Sequence, residues 1–129
     1  MAAYARPTVM VVDDSEDIRE LLRLQLAGLG YRVIAAGDGR EAVEMAKKEC
    51  PALILMDISM PVLDGLTATR MIREAAGISQ IVIVAFTALH SGGNRQRALA
   101  AGCNDYVQKP VKLEQLSRLL NRHLQSRVF

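Results

Sequence analysis

Short, unbroken apolar runs alternate along this chain with longer stretches whose apolar residues recur at helical spacing. Val9-Met10-Val11-Val12, Leu53-Ile54-Leu55-Met56 and Ile81-Val82-Ile83-Val84-Ala85 contain no polar residue. Such runs read as strands buried on both faces, the pattern of a parallel sheet covered by helices. The first predicted strand is Thr8 to Val12, the second Tyr31 to Ala35, and the third ends at Asp57. The fourth runs from Ile81 to Ala85 and ends at Phe86-Thr87; the fifth is Cys103 to Val107. Between them, helices are predicted from Ser15 to Ala27, from Arg40 to Glu49, up to Ala75 and from Gly93 to Ala101. In the first of these, Ile18, Leu21, Leu22, Leu26 and Leu29 keep a helical period, Asp14 or Ser15 caps the start, and Gly28 and Gly30 stop it. Val111, Leu113, Leu116, Leu120 and Leu124 stripe a last amphipathic helix. Gly37-Asp38-Gly39, the turn from Met60 to Gly65, and Ser91-Gly92-Gly93 supply punctuation.

Five βα units with short connections imply an α/β fold: a doubly wound parallel sheet with right-handed crossovers. With 129 residues, the chain can bury roughly two-thirds of its unfolded surface in one core. Residues 8–126 form the expected domain, after a flexible leader at 1–7 and before a tail at 127–129. Cys50 and Cys103 lack metal-ligand spacing and read as reduced thiols. No signal-peptide pattern and no run long enough to span a membrane is present, which points to the cytoplasm.

Charged residues punctuate the ends of three apolar runs. The first strand meets Asp13-Asp14, the third meets Asp57, and the fifth leads through Gln108 to Lys109-Pro110. Ligands of open α/β sheets bind outside the carboxyl ends of the strands. Three carboxylates and one ammonium are therefore expected at a single edge, an arrangement that no hydrophobic core requires.

These residues, with Met60-Pro61, Asp64-Gly65, Thr87-Ala88 and the run from Ala101 to Tyr106, occur in an order that resembles the receiver domain of two-component response regulators. The resemblance spans Thr8 to about Gln125. It implies a flavodoxin-like sheet of order 2-1-3-4-5 with five helices. It also implies that Asp57 accepts a phosphoryl group from the phosphohistidine of a sensor histidine kinase or histidine phosphotransfer domain.

The residue types suit that chemistry. A carboxylate can form an acyl phosphate when the phosphoryl charge is neutralised. Magnesium takes hard oxygen ligands and keeps several waters. Asp14 and Asp57 are candidate direct ligands and Asp13 a ligand through water; the resemblance adds the main-chain carbonyl of Ser59. Lys109 is a compact charge for a phosphoryl oxygen, and the Thr87 hydroxyl and Ala88 N–H are candidate donors to it. Thr87 and Tyr106 are the implied switch pair: phosphorylation draws Thr87 toward the phosphoryl group and Tyr106 turns inward. In the family, Ser59 and Leu89 stand at positions that flank the phosphoryl group and tune its hydrolysis.

Plainer readings exist for single residues. Asp13-Asp14 alone is an ordinary helix cap, Thr87 alone a strand-end hydroxyl, Tyr106 a half-buried sheet aromatic, and His90 and His123 surface residues. Asp57 has no such excuse, since capping does not explain an acid closing an apolar run. The expected function is a phosphorylation-activated switch, not a metabolic enzyme. The alternatives are a magnesium-dependent aspartyl phosphatase or phosphotransferase, for which little chain remains to build a substrate pocket, and a phosphorylation-independent binding module. Residues 1–74 hold 9 Lys/Arg and 12 Asp/Glu, whereas residues 75–129 hold 7 and 2. The basic surplus on the last two helices offers an acidic downstream protein a surface. No helix-turn-helix pattern points to direct DNA binding, and the expected state is a monomer or weak dimer.

Overall fold

The computed structural model describes residues 7–60, 63–88 and 94–124. Strands β1 (Thr8–Val12), β2 (Arg32–Ala36), β3 (Leu53–Asp57), β4 (Val82–Thr87) and β5 (Asp105–Gln108) alternate with five helices. The helices are α1 (Glu16–Gly28), α2 (Gly39–Glu49), α3 (Gly65–Glu74), α4 (Asn94–Ala101) and α5 (Leu113–Leu124). The strands form one parallel sheet in the order β2-β1-β3-β4-β5, as expected.

Cover on both faces explains the unbroken apolar runs. Successive strand side chains point to opposite sides of a sheet. Val9, Val11, Leu53, Leu55, Val82 and Val84 pack against Leu22 and Leu26 of α1 and Leu116 and Leu120 of α5. Met10, Val12, Ile54, Met56, Ile83 and Ala85 face the other way, against Ala42 of α2, Ala68 and Ile72 of α3 and Ala98 of α4. Neither half of a strand could tolerate a polar residue without burying it unpaired.

Element ends follow from identifiable bonds. Ser15, not Asp14, caps α1: its side chain accepts from the Ile18 N–H. Gly28 is the last residue of α1, and the chain reverses at Gly30, whose φ is 97°. Leu21, expected on the buried stripe of α1, is 56% exposed; it sits one position off the row formed by Leu22 and Leu26. Leu113, the first residue of α5, is 43% exposed although it keeps the spacing of the buried stripe. Asp38 and Asp64 cap α2 and α3 through the Glu41 and Thr67 N–H groups. The fifth strand starts later than its apolar pattern suggests. The Asn104 side chain accepts the Ile83 N–H at 2.8 Å while its own N–H donates to the Ile83 carbonyl at 2.7 Å, so ladder pairing begins at Asp105. Pro61-Val62, Leu89, His90, Ser91-Gly92-Gly93, the expected tail and all but the last residue of the expected leader lie outside the described residues.

One side chain ties together the end of the sheet opposite the acidic residues. Arg73, in the last turn of α3, donates to the carbonyls of Gly102 (2.8 Å), Ser79 (2.8 Å) and Ile81 (2.6 Å) and to Asn104 Oδ1 (2.7 Å). A guanidinium presents several N–H donors in a rigid fork, which an ammonium does not. Arg73→Ala leaves these acceptors without their cation and is expected to lower unfolding stability by about 2–3 kcal/mol, with Arg73→Lys recovering less than half. Urea denaturation of the three proteins checks this; equal midpoints would show that water replaces the guanidinium at no cost.

Candidate functional site

The order β2-β1-β3 makes β1 and β3 neighbours, so the residues that close them emerge side by side. Val12 pairs with Met56, and Asp13 and Asp57 follow. Carboxylate oxygens of Asp13, Asp14 and Asp57 lie within 4.8 Å of one another. Asp13 is fully buried and Asp57 nearly so, whereas Asp14 is exposed. Lys109 reaches across from the end of β5. Its Nζ donates to Asp13 Oδ2 at 2.6 Å and to Asp57 Oδ2 at 3.2 Å, and lies 4.9 Å from the centre of the Phe86 ring. The Lys109–Pro110 bond is cis.

Asp13 has all its polar groups committed. Besides Lys109, its carboxylate accepts the Ser15 N–H at 2.8 Å, its N–H donates to the Ala36 carbonyl, and its own carbonyl accepts from Arg19 Nη1 at 2.7 Å. Asp57 Oδ1 accepts the Ser59 N–H at 3.0 Å. The turn after β3 passes so close to Asp57 that a Cβ at Gly65 would stand 2.2 Å from the Asp57 carbonyl oxygen. Only glycine fits there.

Burial pushes the Asp57 carboxyl above its ordinary pKa; the Ser59 N–H and Lys109 pull it back, and the Asp13 charge pushes it up again. Burial also opposes the Lys109 ammonium, but the bonds and charges of Asp13 and Asp57 outweigh it and hold its pKa above the usual value. The pocket sets three carboxyl groups against one ammonium.

Thr87 and Tyr106 occupy the flank. Phe86 pairs with Asp57 across β3 and β4, Thr87 follows, and its carbonyl accepts the Lys109 N–H at 3.0 Å. Ala85 pairs with Tyr106, so Thr87, two residues on from Ala85, shares a face of the sheet with Tyr106. Thr87 is buried, Tyr106 half-buried, and Ala88 and Ser59 are exposed at the rim. The sheet edge thus gathers Asp13, Asp14, Asp57, Ser59, Thr87, Ala88 and Lys109, while Leu89 and His90 lie outside the described residues. His123 is not a plain surface residue. The last turn of α5 lies against β5, and His123 Nε2 sits 3.1 Å from Asp105 Oδ2, which also accepts from Arg122 at 3.2 Å. Nothing in the hydropathy pattern singles out Arg19 or Phe86, whose roles depend on contacts between elements.

Comparison with known proteins fits this geometry. A family model described as the response regulator receiver domain matches residues 9–121. Hybrid signal transduction histidine kinase G of Dictyostelium discoideum is 42% identical over 118 residues, covering 89% of this chain but only 3% of its own length. A 14.6 kDa protein of the sodA1 3′ region of Leptolyngbya boryana is 36% identical, with 95% of this chain and 94% of that protein covered. The chain spans 11% of hybrid kinase F of Dictyostelium and 46% of the response regulator MprA of Mycolicibacterium vanbaalenii, so several relatives are far longer. Among solved structures, the receiver domain of sensor histidine kinase PA1611 from Pseudomonas aeruginosa superposes with a TM-score of 0.87 at 39% identity, covering 94% of this chain and 99% of that one. That structure has a magnesium ion coordinated in its active site cleft. Chemotaxis protein CheY4 of Vibrio cholerae also gives a TM-score of 0.87, at 33% identity over 93% of this chain and all of that one. The chain belongs to the response regulator receiver domain family of two-component systems, whose members are phosphorylation-activated signalling switches. No helix among the described residues is long and apolar enough to cross a membrane.

The raised pKa of Asp57 sets a pH dependence with a definite sign. The folded state holds the Asp57 proton more tightly than the unfolded chain does. The resulting stabilisation is full below the unfolded pKa and is lost as pH rises through the folded one. At neutral pH the ionised group is therefore a liability in the metal-free protein. Asp57→Asn keeps an acceptor for the Ser59 N–H, leaves Lys109 paired with Asp13, and is expected to raise the melting temperature at neutral pH. The gain should shrink as pH falls toward the ordinary carboxylate range. Thermal melts in chelator across that range check both points; a gain that stays constant with pH would mean that Asp57 ionisation is not its cause.

Proposed function

We propose that Asp57 is the phosphoryl acceptor of this receiver and that Asp13, Asp14 and Asp57 hold a magnesium ion for the transfer. The observation that carries the reading is the convergence of three carboxylates within 4.8 Å at one sheet edge, with a single lysine bonded to two of them. The donor set is hard oxygen throughout and one member, Asp14, faces solvent, which suits a cation that keeps part of its water shell. Asp14 and Asp57 are direct ligands, joined by the Ser59 carbonyl. Asp13, whose oxygens already accept from Ser15 and Lys109, acts through water. When bound, the ion neutralises charge on the phosphoryl oxygens and on the crowded carboxylates.

An Asp57 oxygen attacks the phosphorus of a phosphohistidine on a sensor kinase or histidine phosphotransfer domain. The new O–P bond forms as the N–P bond breaks, and the imidazole leaves with that electron pair. Lys109 turns its ammonium from the Asp57 carboxylate to a phosphoryl oxygen, and the Thr87 hydroxyl and Ala88 N–H donate to the same group. Drawing Thr87 toward Asp57 frees space on the face it shares with Tyr106, whose ring moves inward and alters the surface of β5 and its flanking helices. That surface, bordered by Arg95, Arg97, Lys112 and Arg118, meets an acidic downstream protein in the cytoplasm.

An aspartyl phosphatase or phosphotransferase is the weaker reading. The ten described elements are all spent on one sheet and its two helical layers. Incubation with a small phosphodonor, with and without magnesium, separates the possibilities. A switch accumulates acid-labile phosphate in a magnesium-dependent manner, an enzyme turns over the donor without accumulating it, and a phosphorylation-independent module does neither. Asp57→Asn is expected to abolish incorporation, and Lys109→Ala to slow it roughly a hundredfold or more, the scale on which losing one stabilising charge at a transferring group acts. Phosphate retained by Asp57→Asn would assign the acceptor elsewhere.

A further inference from the structure

We infer that Arg19 is a positioning residue for the cation site, acting through the main chain of Asp13; the inference rests on the magnesium reading above. Arg19 stands in the first turn of α1, where its N–H donates to the Ser15 carbonyl at 3.0 Å. Long helical side chains point back toward the N-terminus of their helix. Arg19 follows this rule and places Nη1 2.7 Å from the Asp13 carbonyl oxygen, six residues earlier.

That oxygen belongs to the peptide plane joining Asp13 to Asp14. A peptide unit is planar and stiff, so gripping its oxygen also sets the direction in which Asp14 leaves the strand. Asp13 needs no such help. Its N–H is held by the Ala36 carbonyl at 3.2 Å, and its carboxylate by Ser15 and Lys109. Asp14 is the exposed member of the acidic set, and the Arg19 bond fixes the plane from which it departs.

The surroundings of Arg19 match this role. A Cβ at Gly37 would meet Arg19 Nη1 at 3.4 Å and its Cζ at 3.9 Å, so the guanidinium lies against the β2–α2 loop. Glu41 Oε1, which the same Cβ would meet at 3.8 Å, accepts the Gly37 N–H at 2.6 Å. The guanidinium thus sits between the Asp13 carbonyl and Gly37, and the Asp13 N–H bond to the Ala36 carbonyl joins the two segments beside it. Arg19 also brings positive charge toward a cation site, which by Coulomb repulsion weakens metal binding. Positioning and charge therefore make opposite demands, and that opposition makes the role testable.

The test is calorimetric titration of magnesium chloride into the metal-free full chain, for wild type, Arg19→Ala and Arg19→Lys, with far-ultraviolet circular dichroism to check each fold. Positioning predicts that Arg19→Ala binds magnesium roughly threefold to tenfold more weakly, a modest span on the affinity scale. Arg19→Lys, which keeps the charge and part of the reach, should fall between it and wild type. Amide exchange at Asp14 and Ser15 in the metal-free protein should be faster in Arg19→Ala. At saturating magnesium the maximal rate of phosphorylation by a small donor should stay within about twofold of wild type, a change too small to implicate the transfer step itself. Tighter magnesium binding by Arg19→Ala would show that the residue acts only as a repelling charge. A lower melting temperature with unchanged affinity would show that it acts only on the fold; either result overturns the inference. If wild type itself binds no magnesium, the cation reading fails first, and the failure is visible in that one titration.

Discussion

The ammonium of Lys109, bonded at once to Asp13 and Asp57, is the contact on which the carboxyl edge of the sheet depends. Two buried carboxylates beside a third would repel one another strongly in a medium poorer in water than bulk solvent. One lysine offsets part of that repulsion, helped by the Phe86 ring beneath it. Burial still holds the Asp57 carboxyl above its ordinary pKa, and the Asp13 charge adds to the shift. Three carboxyl groups facing one ammonium is the imbalance on which the proposed cation site rests.

Topology delivers the carboxylates to one another. The chain runs from β1 outward to β2 and then returns to the other side of β1 for β3, so the loops leaving β1 and β3 turn to opposite faces and open a crevice between them. Asp13 and Asp14 line one wall and Asp57 the other. Gly65 lets the next turn press against the Asp57 carbonyl, and Asp64 caps the helix that begins there. These local devices hold Asp57 in a defined place, with its carboxylate bonded to the Ser59 N–H and to Lys109.

The two ends of the sheet are built differently. At the amino end, Arg73 and Asn104 bind α3, the start of β4 and the approach to β5 through a dense set of short bonds. At the carboxyl end, β4 and β5 carry Thr87 and Tyr106 on a common face, one row apart. The strand pair is thus anchored at one end and carries Thr87 and Tyr106, the proposed switch pair, at the other.

Much of this was legible in the chain itself. Unbroken apolar runs require cover on both faces, so the strands of β1, β3 and β4 declare a parallel sheet. An acid that closes such a run, as Asp57 does, has no structural reason to be there and so announces a site. The ordered set from Asp13 to Lys109 identified the family. Boundaries were less legible where side chains compete with the ladder. Asn104 takes the Ile83 N–H and delays β5, and Leu21 falls one position off the buried row of α1. Contacts between distant segments were not legible at all. That Arg19 reaches the Asp13 carbonyl, that Phe86 lies under Lys109, and that His123 meets Asp105 depend on how helices sit on the sheet. Hydropathy and local propensity record which way each residue faces along its own element. Which groups then meet, and which charges must share one lysine, is set by the packing of elements far apart in the chain.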